Sequence, residues 1–532
     1  MALKRRTFVL STLAAATAAT LPAFRKVNAA TPVKGGVLIV SNTVEPVHLV
    51  GAFTTQAGPP TSKVFDGLLK VGLDGKPAPA LAESWEISDD GKTITFHLRK
   101  GVKFHDGSPL RPDDVAFSLE VWKKYHARGR STFANVTGTR SPDEHTVIFD
   151  LSVPSPIILF GLVANESPVL ARHTYPTEGD LAVAERNNSP IGTGPFKFST
   201  WERGSHVVLE KNTEYWDPER PKVDQLIVRT LPDAATTSSA LEAGSIHTSS
   251  FVPLSNIARL QKNPNIRVTD DPRGSLYNVG AVVFEFNLDR ERFKDKALRT
   301  AFAHTIDRSF IEKNLYFGFA TPTESPVPPG LPAWHNPNVP KYPFDLKKAE
   351  EILDAAGYKR DADGVRLKLT NDYAANNATH LQVAQYIRSN LAKIGIQLEI
   401  RNQDFGQFVN RVYTKRDFDT AIYHATVGPD PAIGAQRFYW SKNFKVGVAF
   451  SNAANYSNPE VDRLLEAANA EIDQAKRKAL YDDFQRIVQE DIVRIPLVSP
   501  RYPIVARANI EDIVEDASGD SGPYSLAHFV GA

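Results

Sequence analysis

Cysteine is missing from all 532 residues, in a chain whose opening reads as an export leader. Disulfides are permitted outside the cytoplasm, so a chain that forgoes them must be held by apolar burial. At this length it can bury a large core, divided among two or three lobes. The leader starts at the cationic Lys4-Arg5-Arg6-Thr7-Phe8-Val9-Leu10 and continues through an Ala/Thr/Leu stretch to about Leu21. It ends with Arg25-Lys26 and a small-residue cleavage site, Val27-Asn28-Ala29-Ala30. The paired arginines and the basic residues before cleavage favour the twin-arginine (Tat) route for folded cargo; an ordinary secretory (Sec) leader is the alternative. The apolar stretch is shorter than the roughly 20 residues that span a bilayer, and no later segment is apolar enough to do so. The mature chain therefore reads as soluble. A free soluble protein beyond the inner membrane is retained only by a second membrane, so the expected location is the periplasm of a Gram-negative bacterium.

The missing cysteine also excludes a lipidated N-terminus, thiolate metal sites, iron–sulfur clusters and thiol catalysis. Residues 1–30 carry five basic side chains and no acidic one, so their removal takes the formal charge from +1 to −4. A mildly acidic surface speaks against nucleic acid or an anionic membrane as partner.

Along the mature chain, Gly35-Gly36-Val37-Leu38-Ile39-Val40-Ser41 reads as a buried strand, followed by a Pro/Gly-rich loop over 45–60. Asp74-Gly75, Asp90-Gly91 and Asp106-Gly107 are hairpin signals between runs of strand character. Ile94, Phe96 and Leu98 alternate onto one face, as do Val147, Phe149 and Leu151. Between them Asp113 and Asp114 open a helix with Val115, Leu119 and Trp122 on one stripe. This is a small α+β lobe. A second mixed stretch runs from about 190 to 275, and helices dominate after it. One carries Ala349, Ile352, Leu353 and Ala356 and stops at Gly357. Another carries Ile387, Leu391 and Ile394, stops at Gly395, and enters the strand Ile396-Gln397-Leu398-Glu399-Ile400. A third begins after Asn458-Pro459, with Val461, Leu464, Leu465 and Ala468 on one side. Helices alternating with strands imply an α/β lobe with a largely parallel sheet. Without repeats or low-complexity linkers, the lobes are expected to be interwoven.

Leu81-Ala82-Glu83-Ser84-Trp85-Glu86-Ile87-Ser88-Asp89-Asp90-Gly91 and Phe96-His97-Leu98-Arg99-Lys100-Gly101-Val102-Lys103-Phe104-His105-Asp106-Gly107 resemble the signature of one family. It is that of the extracellular solute-binding proteins of ABC importers, of the dipeptide/oligopeptide/nickel type (family 5). The resemblance continues through Asp113-Asp114-Val115, Gly192-Thr193-Gly194-Pro195-Phe196, Asn212-Thr213-Glu214-Tyr215-Trp216, Ala297-Leu298-Arg299, Asn458-Pro459-Glu460 and Ile495-Pro496-Leu497. It implies a periplasmic binding protein-like fold: two α/β lobes joined by a hinge, plus a small additional α+β lobe. The implied limits are 31–60, 188–275 and 493–532 for the first lobe, 61–187 for the small lobe and 276–492 for the third. It further implies a monomer that captures a peptide or peptide-like small organic solute between its lobes and hands it to a membrane permease with a separate ATPase. No GxxxxGK[ST] loop is present in this chain.

In peptide-binding members an aspartate near an Asp-Pro pair meets the ligand's ammonium. Aligned on Asp430-Pro431, that aspartate falls on Val427, which puts free-amine peptides in doubt; Asp430 is either a substitute or a turn residue. The same alignment proposes Tyr423, His424, Thr426, Arg437 and Trp440 as neighbours of the solute, and Thr55 and Gln56 from an earlier loop. Aromatic faces and a guanidinium suit a carboxylate-bearing solute. Nickel-chelate capture by His424 and Arg437 is an alternative within the family. The thirteen histidines show no HxH, HxxxH or HExxH spacing, so neither a metal site nor a cofactor is expected. A Tat-exported hydrolase is the alternative from another class, resting on Gly519-Asp520-Ser521-Gly522-Pro523. That stretch resembles a protease nucleophile motif but lacks its partners and reads better as a C-terminal turn.

Overall fold

A computed structural model describes residues 32–54, 60–126, 128–271, 276–375 and 377–531. The leader falls outside the described residues, as do Thr55 and Gln56.

Two mixed sheets carry the architecture. The first has seven strands in the spatial order Ile266–Thr269, Ile504–Arg507, Thr248–Ser249, Val37–Asn42, Gln225–Thr230, His206–Lys211 and Phe196–Glu202. Its strands thus come from three stretches far apart in the chain. The second has six, in the order Ala320–Pro322, Arg494–Pro500, Gly280–Phe286, Thr420–Thr426, Leu367–Tyr373 and Ile396–Arg401. Gly280–Phe286 and Arg494–Pro500 are buried at every position, as expected of central strands covered on both faces.

The expectation of a largely parallel sheet holds for only part of this second layer. Leu367–Tyr373 runs parallel to both its neighbours, whereas the other three pairs are antiparallel. A parallel pair needs a crossover element, which Ala378–Lys393 supplies between Leu367–Tyr373 and Ile396–Arg401. Gly280–Phe286 instead enters this sheet from the other one, and Arg494–Pro500 leaves it for the other one. The switch expected at residue 493 lies later, because Arg494–Pro500 bonds to Gly280–Phe286 and only Ile504–Arg507 rejoins the first sheet. The described chain passes between the sheets at 270–271 with 276–279, and at 501–503. Arg501 ties these crossings together: its Nε donates to Asp270 at 2.9 Å and its Nη2 to the Gly318 carbonyl at 2.6 Å.

A third layer follows the alternation in the sequence. Ala82–Ile87, Thr93–Leu98, Thr146–Leu151 and Val136–Asp143 form a four-stranded antiparallel sheet. Ile94, Phe96, Leu98, Val147, Phe149 and Leu151 are buried in its core, with the Phe96 and Phe149 rings edge to face at 5.1 Å. Helix Pro112–Lys124 buries Val115, Leu119 and Trp122. Asp114 fastens its start by accepting from the Arg111 and Arg172 backbone N–H groups at 2.9 and 3.0 Å. Gly192 and Gly194 are a close-packing device. A Cβ on either would meet the Val64 backbone, at 2.0 and 2.5 Å.

Within the second sheet Glu285 and Arg494 face each other in register and form an ion pair at 0% and 1% exposure. Arg494 also donates to the Phe438 carbonyl at 2.6 Å and the Tyr423 hydroxyl at 3.2 Å. Replacing Arg494 alone by Met strands the carboxylate and is expected to cost about 3–5 kcal/mol, whereas adding Glu285→Met should recover most of the loss. Chemical denaturation of the single and double variants measures it; equal losses in both would assign the cost to packing instead.

Candidate ligand-binding site

A cavity of about 440 Å³ lies where the two sheets meet. The first sheet contributes Ser250, Phe251, Thr269 and Ile504; the second contributes His424 and, from strand and helix starts, Asn278 and Asn377. The crossings add Asp271 and Tyr502, and the C-terminal segment adds Val514, Asp520 and Ser521. Apart from His424, which lies inside Thr420–Thr426, these side chains sit at or beyond strand and helix ends, where loops from both sheets converge.

The seam is charged on one side. Asp520 accepts from the Ser250 hydroxyl. Among the described residues its nearby cation is Lys63, whose Nζ lies 3.5 Å from the Asp520 carbonyl. Burial pulls the Lys63 ammonium down to about 7, against the pull of Asp520, Asp516 and Glu515. At neutral pH this lysine is therefore only partly charged and neutralises Asp520 incompletely. On the opposite wall, burial pulls His424 down to about 3, with His380 and Arg437 adding to the effect. Its ring is neutral, its Nδ1 lies 3.4 Å from the Thr426 hydroxyl, and its Nε2 has no described partner. The Tyr502 ring meets it edge-on at 6.3 Å, and burial raises the Tyr502 hydroxyl to about 12.

Of the residues singled out in the sequence, His424 lines this cavity. Thr426 and Arg437 stand behind it: the Arg437 Nη2 reaches the Thr426 carbonyl at 3.5 Å, and its Nε is buried without a described partner. Burial lowers Arg437 to about 10, with Arg128 repelling it further. Glu166, the carboxylate nearby, is already engaged by Arg128, whose Nε donates to it at 2.6 Å. Two guanidinium groups thus share one carboxylate, which leaves Arg437 in surplus.

Four expected contacts are instead structural. Tyr423 is fully buried and receives Arg494; a strand sends neighbouring side chains to opposite faces, so it points away from His424. Val427 is 2% exposed, packs in the core, and bonds through its N–H to the Val279 carbonyl at 2.8 Å. Asp430 is not a substitute amine receptor, because Arg477 occupies both its oxygens, one at 2.7 Å. The Trp440 indole donates to Glu466 at 2.9 Å, on the flank of helix Pro459–Ala470. Sequence reasoning missed Tyr502, Asn278, Asn377 and Ser250, which carry no motif. It noticed Asp520 and Ser521, but for a different chemistry: they form a short turn, Gly519–Ser521, and the Ser521 carbonyl accepts from Ser62 and Asn165. No cluster of three metal-ligating side chains occurs among the described residues.

A cavity at the seam of two mixed sheets, crossed twice by the chain, defines a two-lobed binding protein of the periplasmic type. The chain belongs to the bacterial extracellular solute-binding proteins of family 5: residues 76–446 match the family described as "Bacterial extracellular solute-binding proteins, family 5 Middle". The glutathione-binding protein GsiB of Shigella flexneri is 28% identical over 439 residues, 82% of this chain and 83% of that protein. The oligopeptide-binding protein AppA of Bacillus subtilis is 27% identical over 510 residues, covering 91% and 90%. The periplasmic binding protein DppA of Helicobacter pylori, solved in complex with the peptide STSA, superposes with a TM-score of 0.79 at 27% identity, covering 94% of this chain and 99% of that one. No helix among the described residues is long and apolar enough to cross a membrane.

A histidine lowered to about 3 should show no imidazole titration in NMR spectra between about pH 8 and 5. The unfolded chain takes up this proton near 6.5 and the folded chain does not, so stability falls as the pH drops from about 6.5 toward 3. His424→Gln should flatten that fall by one proton's worth. A midpoint near 6.5 in the folded protein would show that the ring is solvated.

Proposed function

We propose that this protein is the receptor of an ABC importer in the periplasm of a Gram-negative bacterium. It takes a short peptide or peptide-like organic solute and delivers it, unchanged, to a membrane permease served by a separate ATPase. The observation that carries the reading is the cavity of about 440 Å³ whose walls come from both sheets at the two crossings. That volume lies within the range of about 300–1,000 Å³ typical of small-molecule sites. Relatives whose names specify glutathione or oligopeptides, and a relative solved with a tetrapeptide, support the ligand class.

The mechanism follows from linkage. A ligand closes a hinged protein only as far as it binds the closed form more tightly. Shifting a population from mostly open to mostly closed takes about 5.5 kcal/mol of differential binding, so both walls must hold the solute. In this reading the lobes are 31–60 with 188–270 and the segment from 504 onward, a small lobe over 61–187, and a lobe from 280 to 500. Asp520, incompletely neutralised by Lys63, receives the positive end of the solute in place of the aspartate that Val427 lacks. His424 and the two asparagines offer neutral hydrogen bonds to its backbone-like middle. Arg437, behind Thr426, supplies positive potential for a carboxylate.

Calorimetric titration with tri-alanine should show saturable binding, and small-angle scattering should show a more compact protein at saturation. Asp520→Asn removes a charged hydrogen-bond partner and should cost about 1.5–3 kcal/mol, roughly a ten- to hundredfold loss of affinity. Cleavage of the peptide, or scattering unchanged by every solute that binds, would refute the receptor reading. Equal affinity in the Asp520 variant would refute only the placement of the ammonium.

A further inference from the structure

Three side chains from residues 61–187 hold the turn that gives the seam its negative charge. That turn, Gly519–Ser521, contributes Asp520 and Ser521 to the cavity lining. Ser62 and Asn165 both donate to the Ser521 carbonyl, the latter at 2.9 Å, and Lys63 reaches the Asp520 carbonyl at 3.5 Å. We propose that Lys63 is a positioning residue for the seam: its proton and the positive end of the solute compete for the field of Asp520, so that capture of an ammonium there releases a proton from Lys63. This rests on the reading that Asp520 receives the positive end.

Lys63 is fully buried. Its Nζ has two neutral acceptors, the Ser62 hydroxyl at 3.2 Å and the Asp520 carbonyl, and it stands 4.5 Å over the Tyr524 ring. Among the described residues the acids around it act at a distance: Asp520, Asp516 and Glu515, in that order, favour its charged form without accepting a hydrogen bond from it. Each is engaged elsewhere. Asp520 accepts from Ser250, Asp516 from the Ser518 N–H at 2.8 Å, and Glu515 from Arg220 and the Ser525 hydroxyl at 2.9 and 2.8 Å. The remaining charges of the cluster are Lys70, which faces Asp516, and Asp66, which faces Glu515 and accepts from Thr193, Tyr215 and Trp216. An ammonium so enclosed, without an ion-pair partner in contact, gives up its proton readily. Burial brings it down to about 7 against the pull of the acids.

Of those acids Asp520 has the largest effect on Lys63, and it is the one that lines the cavity. An ammonium placed against Asp520 cancels part of the field that keeps the Lys63 proton in place, and the midpoint falls below about 7. The sign is fixed by linkage. The complex holds fewer protons than the free protein, so affinity rises with pH through the region just below 7. The coupling is reciprocal, and a protonated Lys63 weakens the hold on the solute by the same factor. A permanent cation at this place would oppose Asp520 at every pH, and a neutral side chain would leave it open at every pH. A lysine in a dry setting makes the charge offered to the solute adjustable.

The coupling is first read without ligand, by NMR of the mature protein with its lysine ε-carbons isotopically labelled. One lysine signal should titrate with a midpoint near 7, vanish in Lys63→Met, and move to lower pH in Asp520→Asn. Tri-alanine is then titrated calorimetrically at about pH 6.5 in buffers of different ionisation enthalpy, where its own α-amino group, with a midpoint near 8, stays charged. Release of about half a proton per peptide is expected, with affinity rising about threefold between about pH 6 and 7. Lys63→Met should lose the release, flatten that profile and bind more tightly than the parent protein at about pH 6. A lysine that only supports the turn would, when replaced, lower affinity equally at every pH. If Lys63→Met fails to fold, the shift in Asp520→Asn decides. The proposal is overturned by a Lys63 midpoint in the ordinary lysine range or one that ignores Asp520→Asn, by peptide binding without proton release, or by release that persists in Lys63→Met. Tri-alanine that fails to bind, or is cleaved, overturns the receptor reading and this proposal together; a midpoint indifferent to Asp520 overturns this proposal alone.

Discussion

One side chain, Arg501, governs how the two halves of this molecule relate. It sits in the shorter crossing, bonds to Asp270 in the longer one, and grips the Gly318 and Ala320 carbonyls beside the second sheet. The strand before it, Arg494–Pro500, is central to the second sheet; the strand after it, Ile504–Arg507, is inside the first. Three residues span at most about 10 Å, so the sheets cannot separate here. Rotation about this point is the relative motion that such a tether would leave to the two sheets. A cavity placed beside such a pivot changes its walls with small rotations and keeps its floor, which is the geometry a clamp needs.

The buried charges differ in how far they are completed. Asp430 with Arg477 is mutually satisfied inside a packed region. Glu285, paired with Arg494, keeps one oxygen without a described partner, and Arg128, paired with Glu166, has a side chain 38% exposed. Pairs of this kind add little net stability, but breaking one is expensive. Asp520, Arg437 and Arg308 differ: each is left with a weak, shared or missing partner. All three sit at or next to a cavity.

Much of the fold was legible because it depends on local rules. Alternation placed Ile94, Phe96 and Leu98 inside; Asn458, followed by Pro459, opened a helix by accepting from Glu460 and Val461; Gly395, at a positive φ of 83°, ended one. The direction of strands was less legible, since Gly280–Phe286 and Arg494–Pro500 are adjacent only through pairing across about two hundred residues. The site was the least legible part. Tyr423 could have been excluded, because a strand that presents His424 to a cavity must turn Tyr423 the other way. Trp440 and Asp430 could not, because nothing local marks Glu466 or Arg477 as their partners. Ser250, Asn278 and Tyr502 are ordinary residues that matter only because topology brings three loop ends together.

The loop that alignment on Asp430-Pro431 marks out for charge recognition is committed to packing in this chain. The N–H groups of Val427 and Gly428 both bond to the Val279 carbonyl, at 2.8 and 3.0 Å, fastening the loop to the end of the first crossing. Asp430 is closed off by Arg477, which is itself stacked against Trp334 at 4.9 Å. An ammonium could enter there only by breaking a finished ion pair, at a cost greater than a new contact returns. Negative charge is available instead on the C-terminal segment, at Asp520, across the seam from His424. The positive end of a ligand would then be held by the first half of the clamp rather than the second. That reversal keeps the requirement that both halves contribute, because the neutral donors and acceptors of His424, Asn278 and Asn377 remain on the opposing wall.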